Sequence, residues 1–266
     1  MDPDLAQAGW IRVAPDPFAR SLISRRWRRW WEAWWGLLYP RVCQLCRSEP
    51  ATPRWGWVGR RCRRLVQPLR PPWCERCGLP IPGEATVQFE CANCRGRDLP
   101  FSTARAAVVA EGPVLEAIHR YKYQGALWFE PFLARLLVRA AADAVREGGW
   151  DAIVPVPLHP VREREREFNQ AARLARHLAR ATGLPLETGW LRRVRPTKMQ
   201  ALLSRDERLR NVRRAFQLRA GAVVRGRRLV LVDDVFTTGA TTGACAGVLR
   251  QAGAAEVCVW TVARGL

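Results

Sequence analysis

One stretch of the chain, Val230 to Thr242, constrains the fold more than any other segment. It opens with three apolar residues that lead directly into the adjacent acids Asp233 and Asp234. A loop of hydroxyl residues around Gly239 follows, and then a helix-like run from Gly243 to Ala252. An apolar strand joined by a tight loop to a helix is typical of a parallel sheet, whose ligands bind at the carboxyl ends of the strands. We therefore expect the acid pair at such an end.

The residue types in this stretch suit a ribose 5-phosphate. Two carboxylates can accept hydrogen bonds from the vicinal hydroxyls of the sugar, while threonine hydroxyls and backbone N–H groups at a helix start can hold the phosphate. The alternative is a plain turn that caps the next helix. No Gly-Lys-Ser/Thr sequence follows, so the stretch is not a Walker A loop. The candidate residues are Asp233 and Asp234 for the sugar, and Val235, Thr237, Thr238, Gly239, Ala240 and Thr241 for the phosphate.

The formal net charge of +20 on 266 residues is unusual for an enzyme that acts on small molecules. A field of that sign attracts nucleic acid, an acidic membrane surface or a highly charged phosphate substrate. Nearly all of the positive charge is arginine, and the two lysines are Lys122 and Lys198. A lysine offers a point charge on a flexible stem, so both positions are candidates for phosphate contacts, although their placement by chance stays open.

The hydrophobic content of 48% indicates a packed core rather than a disordered chain. No apolar run reaches the roughly 18 to 20 residues that a membrane-spanning helix needs. The segment from Met1 to Asp16 carries acids and lacks the basic start and apolar centre of a signal peptide. We therefore expect a cytoplasmic protein.

Seven of the nine cysteines lie before residue 95, and six of these form Cys-x2-Cys pairs. In a cytoplasmic chain such pairs favour zinc over disulfides, and four thiolates form a closed tetrahedral structural site. The later set is complete, whereas the earlier set is one ligand short and is open to loss, to completion from elsewhere or to cross-bracing. The later set is Cys74, Cys77, Cys91 and Cys94, and the earlier set is Cys43, Cys46 and Cys62. Cys245 and Cys258 lie in apolar surroundings and are predicted to be core residues.

A tryptophan- and arginine-rich run from Arg25 to Leu38 precedes the cysteines. Its tryptophans recur at helical spacing on one face, with arginines opposite at the start. Three interpretations remain open for this helix: packing on the body of the protein, contact with a membrane surface, or stacking on the bases of single-stranded nucleic acid.

Beyond about residue 100, apolar segments of strand and helix type alternate. Strands are predicted at 104–110, 151–156, 228–232 and 256–262, and helices at 113–121, 129–147, 168–182 and 242–252. This alternation predicts an α/β fold with a mainly parallel sheet flanked by helices. The predicted domains are a flexible tail (1–24), the Trp/Arg helix with a small zinc-binding domain (25–99), and the α/β domain (100–266).

The segment from Leu231 to Thr242 resembles the phosphoribosyl-pyrophosphate (PRPP) signature of type I phosphoribosyltransferases. The chain from about residue 30 onwards resembles the ComF family, in which a zinc ribbon precedes a phosphoribosyltransferase-like domain and which is linked to DNA uptake in competent bacteria. Besides the cysteine pairs, the segments that carry this resemblance are Ile118–Gly125, Ile153–Arg162, Phe168–Gln170, Thr197–Asn211 and Ala263–Arg264.

The resemblance implies a site that binds PRPP with Mg²⁺. Tyr121 to Gly125 would form a short loop on the pyrophosphate, in which Lys122, Tyr123 and Gly125 make the contacts. Pro157 would lie in a second pyrophosphate loop that ends at His159. Two basic segments, Arg162 to Asn169 and Arg192 to Arg214, would complete the site, and Thr237 to Thr241 would hold the 5'-phosphate.

The chain departs from the family pattern at three positions. Leu65 stands where the last cysteine of the first zinc site is expected, Ala126 where a basic residue often follows, and Glu167 where an Arg-Gly-Phe-Asn-Gln pattern has glycine. Two classes of function stay open: a Mg²⁺-dependent phosphoribosyltransferase with an unknown acceptor, or a non-catalytic competence factor that binds single-stranded DNA or senses PRPP or a nucleotide. The resemblance also implies other DNA-uptake proteins as partners.

Overall fold

The computed structural model describes residues 41–81, 91–195, 212 and 214–266. The predicted tail, the Trp/Arg helix, Lys198 and most of the basic segment from Arg192 to Arg214 lie outside these residues. Val42–Leu266 form one compact unit. The domain boundary near residue 100 therefore stays a prediction. Within the described ranges, no helix is long and apolar enough to cross a membrane.

The unit is built on a four-stranded parallel sheet with the strand order β1-β6-β5-β2, and β3 and β4 form a separate antiparallel pair. The strands are β1 (Thr103–Val109), β2 (Ala152–Pro155), β3 (Leu191–Arg193), β4 (Phe216–Leu218), β5 (Arg228–Phe236) and β6 (Glu256–Arg264). The helices are α1 (Arg60–Arg64), α2 (Gly112–Tyr123), α3 (Glu130–Glu147), α4 (Pro160–Arg166), α5 (Gln170–Thr182) and α6 (Ala240–Gln251).

Helices cover both faces of the sheet. Successive residues of a strand point to opposite faces, so each buried strand contributes side chains to two cores. Val230 and Val232 of β5 belong to a core shared with α2, α3 and α5, whereas Leu229 and Leu231 belong to a second core shared with α6. All four side chains are completely buried. A parallel strand buried on both faces reads as a continuous apolar run, as β5 does. The predicted α/β fold, a mainly parallel sheet flanked by helices, is confirmed.

The central strand is longer than its apolar run predicts. β5 continues through Asp233 and Asp234 to Phe236, because β6 pairs with it as far as Arg264 opposite Phe236. The strand was predicted to end at Val232, and that boundary was wrong. Both acids belong to the strand itself, so the ladder fixes their backbone and leaves only their side chains to rotate.

The cysteine-rich segment packs against the sheet from both sides. Cys43 and Cys62 lie in the core with α3, and the cysteines of the later set lie in the core with α6. Between them the chain runs along β1, where Leu69 N donates to Ala107 O at 3.1 Å and Val109 N donates to Gln67 O at 2.9 Å. The cysteine-rich region is therefore joined to the sheet by backbone hydrogen bonds as well as by apolar packing.

A buried carboxylate ties together the three helices on the first face. Glu130 of α3 accepts hydrogen bonds from Tyr121 Oη of α2 at 3.2 Å and from Arg173 of α5, and its Oε1 lies 2.8 Å from His177 Nε2. Burial alone would raise the pKa of Glu130, but the contacts with His177 and Arg173 outweigh it and lower the pKa to about 2. This network fixes the end of α2 next to the candidate site.

Candidate functional site

A cleft opens at the carboxyl ends of β5 and β2, where ligands of parallel sheets bind. Seven of the predicted site residues line it: Lys122, Tyr123, Pro157, Asp233, Asp234, Val235 and Thr241. Seven more residues line it: Val156, Leu158, His159, Arg162, Arg166, Gln170 and Arg193. Three of these are arginines, which lie in the segments that were predicted as basic.

The acid pair forms the floor of the cleft. Asp233 is 8% exposed and Asp234 is 2% exposed, and Asp234 N donates to Asp233 Oδ1 at 2.9 Å. Lys122 Nζ makes an ion pair with Asp234 Oδ2. The lysine was expected in a loop, but it lies in the last turn of α2, which ends at Tyr123. Because a packed helix presents it, the ammonium group is held against the acid pair rather than displayed on a mobile segment.

Burial shifts both sides of this charge cluster towards neutrality. Desolvation raises the pKa of Asp233 from 3.8 to about 6, against the opposing attraction of Lys122 and Arg193. Desolvation likewise lowers the pKa of Lys122 to about 8, although Asp233 attracts the ammonium charge. Titratable groups that are buried in a cleft and perturbed in this way are typical of functional sites, where charge is retained for binding or chemistry.

The pKa shift of Asp233 predicts a pH-dependent stability. Because folding raises this pKa, protonated Asp233 stabilises the folded state relative to the unfolded state. This stabilisation is fully present below about pH 4 and is lost as pH rises through about 6. Asp233→Asn lacks the contribution, so the variant should gain stability relative to the natural protein, by on the order of 2 kcal/mol, between pH 4 and pH 7. Urea unfolding at several pH values measures this difference. Asp143→Asn, on the exposed side of α3, is the control, and a difference for Asp233→Asn that does not vary with pH would contradict the assignment.

Three arginines form the cationic wall of the cleft. Arg162 and Arg166 come from α4, and Arg193 from β3. Arg166 Nη1 donates to Gln170 Oε1 at 3.0 Å, and its guanidinium lies 4.9 Å from the centre of the Tyr123 ring. These contacts hold the planar group in one orientation beside the acids. The cleft thus joins a carboxylate floor to a wall rich in donors for phosphate oxygens.

The chain that leaves β2 forms another part of the cleft. Val156 N donates to Val232 O at 2.9 Å, and Asn169 Nδ2 donates to Val156 O at 3.1 Å. Asn169 also caps α5, since its Oδ1 accepts from Ala172 N at 3.1 Å. His159 Nδ1 accepts from Val161 N at 3.3 Å at the start of α4. Asn169 therefore connects the Phe-Asn-Gln segment to the Pro-Val-Pro-Leu-His segment, which explains why both occur in one site.

In the loop between β5 and α6, the backbone conformation at position 239 requires glycine. Gly239 has φ +76°, and a Cβ there would lie 2.6 Å from Phe236 Cζ. Thr238 Oγ1 accepts from Ala240 N at 3.3 Å, which turns the chain into α6. The predicted contacts Thr237, Thr238, Gly239 and Ala240 do not line the cleft with the acid pair. Gly239 and Ala240 instead line a neighbouring cavity of about 780 Å³.

Gly125 and Glu167, which lie in segments predicted to form the site, both have the left-handed backbone that glycine favours. Gly125 has φ +61° just after α2, as expected for a glycine needed in a turn, although it does not line the cleft. Glu167 has φ +66° at the end of α4. A side chain in this conformation costs about 1 kcal/mol or more. The structure thus explains why the family pattern has glycine at this position.

The four later cysteines form a site for a structural zinc ion. Their sulfur atoms lie within 4.8 Å of one another and all four residues are buried. The Sγ–Sγ distance is 3.8 Å for Cys74 and Cys94, and 3.4 Å for Cys77 and Cys91. Two thiolates that each lie about 2.3 Å from a tetrahedral zinc are about 3.8 Å apart. The donor set therefore fits zinc.

The earlier cysteines also converge, and they do so around a residue that the sequence analysis missed. Cys43, Cys46 and Cys62 lie with Glu49 in one cluster of donor atoms, again within 4.8 Å of one another. Glu49 follows Cys46 by three residues, the same spacing as within a Cys-x2-Cys pair, and this was the one signal that could have identified it. The donor atoms of both cysteine clusters are arranged as expected for structural zinc sites.

Two arginines connect the later cysteine cluster to the loop after β5. Arg97 Nη1 donates to Thr238 O at 2.6 Å. Arg264 lies in the buried end of β6, where its Nη1 donates to Phe236 O at 3.2 Å and to Thr237 O. Arg264 Nη2 lies 3.9 Å from Cys77 Sγ. The position of the loop therefore depends on the zinc-binding region.

The first comparison with known proteins concerns the cysteine-rich region. A family model described as a double zinc ribbon domain matches residues 34–97. It agrees with the two clusters of potential metal ligands in the structure.

Several curated relatives match most of the chain. The DNA utilization protein YhgH of Salmonella typhimurium is 35% identical over 233 residues, which cover 86% of this chain and 100% of the relative. Competence protein F of Haemophilus influenzae is 35% identical over 210 residues, which cover 76% of this chain and 88% of the relative. Among solved structures, a glutamine PRPP amidotransferase from B. subtilis matches 48% of this chain and 24% of its own, with 29% identity and a TM-score of 0.31.

Proposed function

Since the chain belongs to the ComF family of competence and DNA-utilization proteins, we propose that it binds PRPP in the cleft at the end of β5 and acts in the uptake or use of DNA. The proposed reaction is a Mg²⁺-dependent transfer of the phosphoribosyl group to an acceptor with a nucleophilic nitrogen. The proposed location is the cytoplasm, where cysteines stay reduced and available to zinc.

The division of charge in the cleft is the observation that carries this proposal. Asp233 and Asp234 are buried at its floor, and Lys122, Arg166 and Arg193 lie around them. PRPP has a matching division, because its vicinal hydroxyls are hydrogen-bond donors and its phosphates are strongly anionic. The two carboxylates would hold the ribose, and the cations would hold the pyrophosphate. A plain helix cap would not require two buried acids beside a buried lysine.

The reaction would break the bond between C1 of the ribose and the pyrophosphate oxygen, and form a bond between C1 and the acceptor nitrogen. Positive charge develops on the ribose ring, where the carboxylates of Asp233 and Asp234 would stabilise it. Lys122 and the arginines would stabilise the negative charge on the departing pyrophosphate. Mg²⁺ would share that role as a Lewis acid on the pyrophosphate oxygens, and the acid pair offers the oxygen ligands that it prefers.

Binding of single-stranded DNA is the second candidate function, and the net charge of +20 favours it. In this case the cleft would sense PRPP or a nucleotide, and the fold would serve as a scaffold. Contacts with other DNA-uptake proteins fit either function. Contact of the Trp/Arg segment with a membrane surface stays a prediction.

Thermal unfolding in the presence of PRPP tests the proposed site. PRPP with Mg²⁺, at a concentration about 100 times its Kd, should add about 2.7 kcal/mol to the free energy of unfolding. This corresponds to an increase in Tm of several degrees. Inorganic pyrophosphate and ribose 5-phosphate, each alone, should give smaller shifts because each occupies part of the cleft.

Transfer is then measured as release of pyrophosphate with each of a panel of nucleobases and amines. An acceptor-dependent release identifies the enzyme and its acceptor. A PRPP-induced shift with no release for any acceptor favours the sensor. The absence of any shift at millimolar PRPP with Mg²⁺ would refute the proposed site.

A further inference from the structure

We infer that Glu49 is the fourth zinc ligand of the first cysteine cluster. The chain would then hold one zinc ion bound by three cysteines and a glutamate, and a second zinc ion bound by four cysteines, with unequal lability. Three observations carry this inference: the geometry of the donor atoms, the way the glutamate is held, and the position of Leu65. None of them depends on the proposed binding of PRPP.

The donor atoms have the spacing of a tetrahedral site. Cys43 Sγ and Cys62 Sγ are 3.7 Å apart, and Cys46 Sγ lies 3.8 Å from Glu49 Oε1. A zinc ion with bonds of about 2.3 Å to sulfur and about 2.0 Å to oxygen places two thiolates about 3.8 Å apart, and a thiolate about 3.5 Å from a carboxylate oxygen. The carboxylate therefore stands where a fourth cysteine sulfur would stand in the other cluster.

The carboxylate of Glu49 is fixed in this place by the backbone. Arg61 N donates to Oε2 at 2.8 Å and Cys62 N donates to Oε1 at 3.1 Å. A Cβ at Gly59 would lie 2.2 Å from Glu49 Cδ, so the side chain fills space that only glycine leaves open. Each carboxylate oxygen has two lone pairs, and one amide satisfies only one of them. Oε1 keeps a lone pair for a metal ion next to Cys46.

Position 65 does not supply the missing ligand. Leu65 has no donor atom in its side chain and is 65% exposed, whereas Glu49 is 9% exposed. At position 65 the chain thus has a hydrocarbon side chain where the family pattern has cysteine. The cluster instead contains the buried and oriented carboxylate of Glu49. Zinc binds both carboxylate oxygen and thiolate sulfur in tetrahedral sites. Replacement of one thiolate by a carboxylate therefore preserves the tetrahedral geometry.

The two zinc ions should differ in how easily they are lost. Thiolate is the softer ligand and binds zinc more strongly than a carboxylate. Cys46 of the first cluster is exposed, while all four cysteines of the second cluster are buried. A chelator should therefore remove the zinc of the first cluster before it removes the zinc of the second.

The test measures zinc content and zinc release on the full chain. The natural protein should contain two zinc ions per chain, and a colorimetric chelator should release them in two phases that differ at least about tenfold in rate. Glu49→Ala should retain one zinc ion after brief exposure to the chelator. The retained zinc of the second cluster serves as an internal control for folding.

Glu49→Cys separates ligation from hydrogen bonding. This variant loses the acceptor for the amides of Arg61 and Cys62 but provides a thiolate for the metal. It should bind two zinc ions and release the zinc of the first cluster more slowly than the natural protein does. X-ray absorption at the zinc edge should then show four sulfur ligands per zinc on average, compared with a mixture of sulfur and oxygen in the natural protein.

Three outcomes would overturn the inference. The first is a natural protein that holds only one zinc ion. The second is a Glu49→Ala variant that keeps two ions with unchanged release rates, which would make water or another group the fourth ligand. The third is a Glu49→Cys variant that loses zinc as Glu49→Ala does, which would show that the glutamate acts only on the backbone amides.

Discussion

Simultaneous replacement of Asp233 and Asp234 by asparagine is expected to abolish PRPP binding and to leave the sheet intact. Each carboxylate would accept a charge-assisted hydrogen bond from a ribose hydroxyl, and such a bond contributes about 1.5–3 kcal/mol. The loss of both corresponds to a decrease in affinity of more than about 100-fold. Asparagine preserves the shape of the side chains, and β5 is held by backbone pairing on both sides. Isothermal titration with PRPP and Mg²⁺ measures the effect.

Two controls make this result specific to the site. Asp143→Asn changes an aspartate on α3 whose side chain is 82% exposed, and it should leave the affinity for PRPP unchanged. Binding of single-stranded DNA should survive in the double variant, because it depends on the summed positive charge. An affinity for PRPP that stays within about threefold of the natural value in a folded double variant would refute the proposed role of the acid pair. Parallel loss of DNA binding would instead assign the cleft to nucleic acid.

Loss of the second zinc site is expected to weaken both stability and PRPP binding. Cys94→Ser removes a ligand of a closed site, and structural zinc sites contribute directly to folding. We expect a cost of about 4 kcal/mol or more, which lowers Tm by about 10 °C. Because Arg97 and Arg264 connect this cluster to the backbone of Thr237 and Thr238, the loop after β5, which is predicted to hold the 5'-phosphate, should lose its fixed position. Calorimetry and PRPP titration measure the two effects.

Cys43→Ser is the matched control, because it removes a ligand of the first cluster, which packs on the other face of the sheet. This variant should lose one zinc ion and keep most of its affinity for PRPP. Arg97→Met tests the connection alone: zinc content should be unchanged while the affinity for PRPP falls. Unchanged PRPP affinity in a folded Cys94→Ser protein that holds one zinc ion would contradict the proposed coupling.

The order of the four strands of the parallel sheet and of helices α2, α3, α5 and α6 could be predicted from the sequence, because periodic apolar runs and their lengths follow from burial. The short elements α1, α4, β3 and β4 were not predicted. The end of β5 could not be predicted, since it depends on how far β6 extends beside it. Lys122 was assigned to a loop because the family resemblance implies a pyrophosphate loop from Tyr121 to Gly125. The helix continues to Tyr123 because apolar packing of α2 extends to Tyr121, which is completely buried.

Some residues of the candidate site could likewise be identified from the sequence, and others could not. The acid pair stands out because it follows directly on an apolar run, and Lys122 because it is one of two lysines in an arginine-rich chain. The contributions of Arg166, Arg193 and Glu49 depend on contacts between distant segments, and one arginine among so many carries little information in the sequence. Glu167 was recognised as a departure from the family pattern, but only its positive φ explains why glycine is expected there.

The run of chain beside β1 also affects how the molecule behaves in a crowded solution. β1 is the outermost strand of the four-stranded sheet, and an uncovered outer strand can pair with a strand of another molecule and begin aggregation. The hydrogen bonds that Gln67 and Leu69 make with β1 occupy backbone groups that such pairing requires. The segment between the two cysteine clusters therefore blocks intermolecular pairing along β1, in addition to connecting the two clusters.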